Sequence, residues 1–235
     1  MEFTEFGDGD DRLLFVLGWG NRPHQEHVEW LIDELVEAGY TVDVGRIPDH
    51  GSDFDAEYVQ PTQERHDATA PDRILSHSTG GLAVAHIDSD APRVYLSPWW
   101  GMAGESGLLE RLFVSLPTAR PVIPAPIEPA ALGDLATAEQ VAQGPDKLSP
   151  AFLRTVAEAQ GQLPPLRDDS VVFCSLSDRV VGVDAIGDHA PANRIVLYDG
   201  GHECFSSSSR DETVERVLAV LADGPGALTG PVRTA

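Results

Sequence analysis

The sequence predicts an α/β protein with a doubly wound, mostly parallel sheet of about six strands, covered by helices on both faces. Three observations lead there. Short continuous apolar runs such as L-L-F-V-L (13–17) and V-V-F-C (171–174) recur along the chain, and they suit strands buried on both faces. Between them lie stretches whose apolar residues repeat at helical spacing. The two kinds of stretch alternate, as parallel strands joined by crossover helices do.

Taken in order, Leu13 to Gly18 is the first strand and runs into the loop G-W-G-N-R-P. From His24 to Ala38, Val28, Leu31, Ile32, Leu35 and Val36 form one helical stripe, and Gly39 is placed to end it. T-V-D-V-G-R-I is the second strand. Residues 48–70 are polar and broken by Pro61, which reads as a short helix or loop crossing back. Arg73 to Ser78 is the third strand and turns at once into T-G-G-L-A-V-A-H-I, a helix. R-V-Y-L-S-P-W-W from Arg93 is the fourth. Residues 101–168 change texture, rich in Pro, Ala and Gly, with amphipathic pieces at 107–114 and 150–160. That stretch is too long for a plain crossover and reads as a cap inserted between the two parts of the core, 1–100 and 169–225. S-V-V-F-C-S-L-S-D from Ser170 and R-I-V-L-Y-D-G-G-H from Arg194 are the last two strands. The final helix runs over 211–222, with Val214, Val217, Leu218 and Leu221 on one face, and 226–235 reads as a flexible tail.

The composition narrows the partners. The formal net charge is −22, from 38 acidic and 16 basic residues, and Lys147 is the one lysine. A chain this acidic is repelled by nucleic acid and by anionic membrane surfaces, so neither is expected as a partner. No apolar run approaches the roughly 18 residues of a membrane span. The acidic start, M-E-F-T-E-F-G-D-G-D-D-R, lacks a basic stretch followed by an apolar one, and the expected compartment is the cytoplasm. Cys174 and Cys204 are too few for a disulfide framework and lack zinc-ligand spacing, so they read as reduced, buried thiols.

Ligands of an open parallel sheet bind beyond the carboxyl ends of its strands. The first strand ends at Gly18-Trp19-Gly20, the third at Ser78, the fifth at Asp178, and the sixth leads into His202. A serine hydroxyl is a weak nucleophile that needs a base in reach, and the base needs an orienting carboxylate. These three residue types fall on one sheet edge in the order Ser, Asp, His.

That order, with Ser76-His77-Ser78-Thr79-Gly80 between a strand and a helix, resembles the α/β-hydrolase family. The family's nucleophile elbow reads small-x-Ser-x-small, and Ser76 stands here where glycine is common. The resemblance implies a serine hydrolase of the esterase and lipase kind, with Ser78 as nucleophile. It implies Asp178, in S-L-S-D-R-V-V-G, as the acid, with Asp184 as the fallback, and His202, in Y-D-G-G-H-E-C-F, as the base. The oxyanion hole would be the backbone N–H groups of Thr79 and Trp19. The family often has His-Gly-x in the loop of Trp19, whereas this chain reads Leu17-Gly18-Trp19. Gly18, His77, Trp99, Trp100 and Met102 are candidates to line the substrate pocket, with seating the cap an equal reading for the last three. His86 and His189 read as surface or helix residues. The substrate implied is a small ester or acyl compound, with no metal or organic cofactor and a monomer or homodimer as the working unit. A thioester, amide or carbon–carbon hydrolase, an acyltransferase, and a non-catalytic ligand-binding protein on the same fold are the alternatives.

The charge balance, with Arg almost replacing Lys, resembles that of proteins from salt-loving archaea and implies a high-salt cytoplasm; an ordinary acidic protein is the alternative. Screening relieves self-repulsion, so the melting temperature should climb from low to molar KCl. A melting temperature flat across that series contradicts the expectation.

Overall fold

The computed structural model describes residues 1–101 and 116–228. Alternation along the strands sets its layers. In β2 (Asp11–Val16) and the residue after it, Leu13, Phe15 and Leu17 join one core cluster, while Leu14 and Val16 join another. Both faces are apolar, so both must be covered. On one face lie α1 (Glu26–Glu37) and α8 (Arg210–Asp223), which bury Val28, Leu31, Ile32 and Leu35, and Val214, Val217, Val220 and Leu221. On the other lie α3 (Thr79–His86), α6 (Pro150–Gly161), α7 (Val183–His189) and a π-helical turn at Asp55–Val59 that leads into α2 (Gln60–Thr69).

The remaining strands are β1 (Glu2–Phe6), β3 (Tyr40–Arg46), β4 (Arg73–His77), β5 (Arg93–Leu96), β8 (Val171–Cys174) and β9 (Ile195–Leu197). They pair in the order β1-β3-β2-β4-β5-β8-β9, all parallel except β1. The sheet therefore has seven strands rather than six. The additional one, E-F-T-E-F, is a half-exposed edge strand with only Phe3 and Phe6 packed inward, one to each face. Two inward residues among acidic ones leave no periodic signal.

The stretch 48–70 resolves into helix, with Pro61 in the first turn of α2, where its missing N–H costs nothing. Arg65 of α2 holds Asp43 of β3 through both its Nε and its Nη2, the latter at 2.9 Å. Within 101–168, the described part holds a two-stranded ribbon, β6 (Ile123–Pro124) with β7 (Lys147–Leu148), and the short helices α4 (Pro129–Leu132) and α5 (Ala138–Ala142). Its last piece, α6, is capped by Ser149 Oγ, which accepts from Phe152 N at 3.0 Å. Phe152 and Val156 of α6 belong to the core under the sheet. The amphipathic piece at 107–114 lies outside the described residues. Of the expected tail, Gly224–Ala227 forms a 3-10 turn, and Ala227 and Leu228 pack on the core; 229–235 lie outside the described residues. No described helix is long and apolar enough to cross a membrane. Cys174 and Cys204 are free and buried, and burial pushes their thiols up to about 11 and about 12.

One close approach matters for the site. At Gly80, in the first turn of α3, a Cβ would lie 2.3 Å from the carbonyl oxygen of Val16 and 2.6 Å from that of Leu17. Only glycine lets α3 start hard against the end of β2. At its other end α3 is held by the buried Arg93, which donates to the carbonyls of Val84 and Ile87 at 2.9 Å each. Gly80→Ala should cost about 3 kcal/mol, since rigid backbone cannot yield as a side chain would. That corresponds to a fall in melting temperature of roughly 6–12 °C, measurable by calorimetry.

Candidate active site

The strand order reverses between β2 and β4. From β2 the chain moves outward to β3, and from β4 it moves the opposite way to β5. Their following loops therefore diverge and leave a crevice at the carboxyl ends. Ser78 stands there between β4 and α3 with φ 52° and ψ −119°, a conformation that side-chain-bearing residues rarely adopt. It is held from several sides. Its N–H donates to Leu96 O at 3.0 Å, and its carbonyl accepts from Gly81 N at 2.9 Å and Trp99 N at 3.0 Å.

The loop after β2 lies against it. A Cβ on Gly18 would meet Ser78 Cβ at 2.9 Å and His77 Nδ1 at 2.7 Å, so this position too accepts only glycine. Gly18 O accepts from Asn21 N at 3.2 Å, closing a turn with Gly20 at φ 82°. Among the described residues the N–H groups of Trp19 and Thr79 meet no acceptor. The Trp19 indole is engaged by other residues. Its Nε1 donates to Asp49 O at 2.8 Å and the ring stacks on Phe152. Leu17, at the place of the family's common histidine, is fully buried in the core.

Asp178 follows β8 in a turn closed by its own N–H to Ser175 O at 3.2 Å. Its side chain is 0% exposed. Oδ1 accepts from Val180 N at 2.8 Å and Val181 N at 3.1 Å, and Oδ2 meets His202 Nδ1 at 2.8 Å. Burial acts to raise this carboxyl's pKa, but the imidazole and the two amides outweigh it and hold it below the ordinary carboxylate range. An ionised carboxylate only accepts, so the hydrogen of this contact lies on Nδ1 of His202. The His202 backbone is fixed as well. Its N–H donates to Ala131 O at 3.0 Å, and the Tyr198 hydroxyl lies 3.0 Å from its carbonyl and 2.7 Å from that of Gly201. Among the described residues no hydrogen bond joins Ser78 Oγ to His202. The His202 ring sits 4.8 Å from that of His77, the residue before Ser78. Asp184, the fallback acid, is exposed on α7.

Several pocket candidates lie elsewhere. Trp99 packs on Phe152, and Trp100 on Tyr95 and His189, so both indoles serve the core beneath the sheet. His77 is buried, with Nδ1 2.9 Å from Asn21 Oδ1 and its ring edge-on to Phe205. Met102 lies outside the described residues. His86 binds Ala159 O at 3.1 Å from a helix face. A cleft of about 540 Å³ opens beside Trp19, lined by Gly20, Asn21, Ile127, Leu132, Val141 and Glu203 among others. A larger hollow of about 630 Å³, near Asp168, Arg194 and Leu228, lies at the amino ends of β8 and β9, away from Ser78. Asn21, Gln140 and Glu203 were not legible as site residues; the one trace is an acidic residue directly between His202 and the apolar pair Cys204-Phe205.

No family model matches the sequence. No curated protein matches it either. Solved structures match its fold. An esterase from Exiguobacterium antarcticum superposes with a TM-score of 0.66 at 13% identity, covering 94% of this chain and 95% of its own. A soluble variant of the monoglyceride lipase of Saccharomyces cerevisiae, in complex with a substrate analogue, gives 0.67 at 13%, covering 94% and 90%. An α/β-hydrolase fold protein from Burkholderia ambifaria gives 0.59 at 14%, covering 94% and 93%. The mostly parallel seven-stranded sheet with flanking helices is therefore the α/β-hydrolase fold. These likenesses carry nothing about a halophilic origin, which rests on charge balance alone.

His77 makes stability depend on pH. Burial, reinforced by the neighbouring His202, lowers its pKa well below the ordinary value, so it stays neutral in the fold. The unfolded chain binds a proton there below about pH 6.5, the folded chain does not, and stability falls as pH falls. Between about pH 6.5 and 5, His77→Gln should flatten the slope of unfolding free energy by up to about 1.4 kcal/mol per pH unit. His86 and His189, also lowered by burial, keep a residual slope of the same sign. Urea titrations across that range measure the difference, and identical slopes would refute it.

Proposed function

We propose that the chain is a serine hydrolase that cleaves a small carboxylic ester through an acyl-enzyme on Ser78. The observation that carries the reading is the setting of Ser78: a positive-φ serine at a strand–helix junction, with two unengaged N–H groups and an Asp–His pair on the same sheet edge. His202 Nε2 takes the Ser78 proton as Oγ attacks the ester carbonyl. The N–H groups of Trp19 and Thr79 stabilise the oxyanion. As it collapses, the C–O bond to the alcohol breaks and His202 returns the proton to the leaving oxygen. Water, deprotonated by His202, then attacks the acyl carbon, and Ser78 leaves with the proton restored. Asp178 keeps Nδ1 protonated and stabilises the imidazolium.

In this reading the cap expected over 101–168 is supplied by the part before α6, with Ile127, Val141 and Pro145 walling the cleft, while α6 itself belongs to the core. Its setting is a high-salt cytoplasm, on the grounds of charge. A thioester, amide or carbon–carbon hydrolase or an acyltransferase would use the same groups, because the fold hosts many chemistries. The open Ser78–His202 pair is what favours a non-catalytic binding protein, although such contacts often tighten only with substrate bound.

Ser78→Ala should abolish both esterase turnover and labelling by a fluorophosphonate probe. Labelling that persists in the variant refutes Ser78. Asp178→Asn should lower kcat by about 10³–10⁴-fold with KM nearly unchanged. A panel of acyl lengths and leaving groups, run at high salt, separates esters from the other bonds.

A further inference from the structure

A second buried carboxylate ties the segments of this site together. Glu203 is 3% exposed and no cation faces it among the described residues. Oε1 accepts from Asn21 Nδ2 at 2.8 Å, and Oε2 accepts from Gln140 Nε2 at 3.0 Å and Ser206 Oγ at 2.6 Å. Because the carboxylate only accepts, the Asn21 amide must turn its nitrogen to Glu203 and its oxygen to His77. His77 Nδ1 then donates to Asn21 Oδ1.

The positions matter more than the count. Glu203 follows His202, His77 precedes Ser78, and Asn21 closes the turn whose first inner residue is Trp19. Each member of the chain is one or two residues from a group that acts in the proposed reaction. Gln140, on α5, brings in the cleft wall. Beyond the packing of Gly18 on Ser78 and His77 and of Gly80 on the carbonyl of Leu17, the Asn21–His77 contact is the hydrogen bond that joins the oxyanion loop to the elbow among the described residues. An oxyanion donor acts only if its N–H meets the developing charge at hydrogen-bond distance, and displacements near an ångström are costly.

We propose that Glu203 is a positioning residue: through Asn21 it holds the Trp19 N–H in register with Ser78 and His202. This inference rests on the serine hydrolase reading. Glu203 touches no reacting atom in it, and its effect is on where the oxyanion donor stands.

The test compares Glu203→Ala, Asn21→Ala and the double variant, with rates normalised to active sites titrated by a fluorophosphonate probe. Each single variant should lose about 10–100-fold in kcat with KM within about threefold, because the missing contact is felt mainly in the transition state. Affinity for an alkyl boronic acid, whose tetrahedral adduct places an oxygen in the oxyanion hole, should fall in parallel. The double variant should lose no more than the worse single one, since both remove the same link. Glu203→Gln keeps an acceptor for Asn21 and can donate to a flipped Gln140, so it should recover most of the kcat lost by Glu203→Ala. Should Glu203→Ala not fold, Asn21→Ser carries the comparison with Glu203→Gln. Unchanged kcat and boronate affinity in folded variants, or losses that multiply in the double variant, overturn the inference. Absence of fluorophosphonate labelling in the unaltered protein overturns the serine hydrolase reading instead.

Discussion

The helix after the elbow strand begins with no space between it and the neighbouring strand. Gly80 faces the carbonyls of Val16 and Leu17 with no room for a further atom. A chain leaving β4 can reach that position only by turning sharply at a single residue. Ser78 makes the turn at positive φ, and the surrounding hydrogen bonds to Leu96, Gly81 and Trp99 keep it there. The same closeness puts the loop after β2 beside Ser78, because that loop begins at the carbonyls that α3 rests on. Packing between one helix and one strand thus decides both where the buried Ser78 stands, at the carboxyl end of β4, and which loop lies against it.

Charge is handled differently inside and outside. The surface carries a large acidic excess, while the two acids at the site are solvated by the protein itself. Asp178 is surrounded by two amides and an imidazole, and Glu203 by two side-chain amides and a hydroxyl. Neither is paired with Arg or Lys among the described residues. Neutral donors fix a carboxylate in direction without adding a fixed positive charge, which in the proposed mechanism would disfavour imidazolium at His202. The few cations work elsewhere, Arg93 at the end of α3 and Arg65 against Asp43.

Much of the fold was legible because its signals are local. Buried parallel strands read as apolar runs, and α1 and α8 as stripes at helical spacing. The serine, aspartate and histidine could be put on one edge because strand ends are legible and parallel strands point the same way. The edge strand β1 was hidden because Phe3 and Phe6 carry its inward packing alone. Trp99 and Trp100 lie beyond a strand's carboxyl end, yet positive φ at Ser97 redirects the chain and both rings fold under the sheet. The Asn21–Glu203 link could not be read from sequence: its partners are 182 residues apart, and neither type is marked as buried until the fold supplies a partner. Sequence spacing carries the proposed chemical groups, but not what holds them in place.

The short helix α4 is joined to the histidine loop by main-chain bonds, with His202 N on Ala131 O and Glu203 N on Leu132 O at 2.7 Å. Leu132 also lines the cleft. The cleft wall at Leu132 and the backbone carrying the His202 ring are therefore one mechanical unit. In many modular scaffolds, selectivity drifts through insertions while the machinery beneath stays untouched. Here, on the proposed reading, a change in the backbone of this wall would also move the proposed base. Selectivity of the proposed enzyme would then be altered more readily by side-chain replacement on a preserved backbone than by loop exchange.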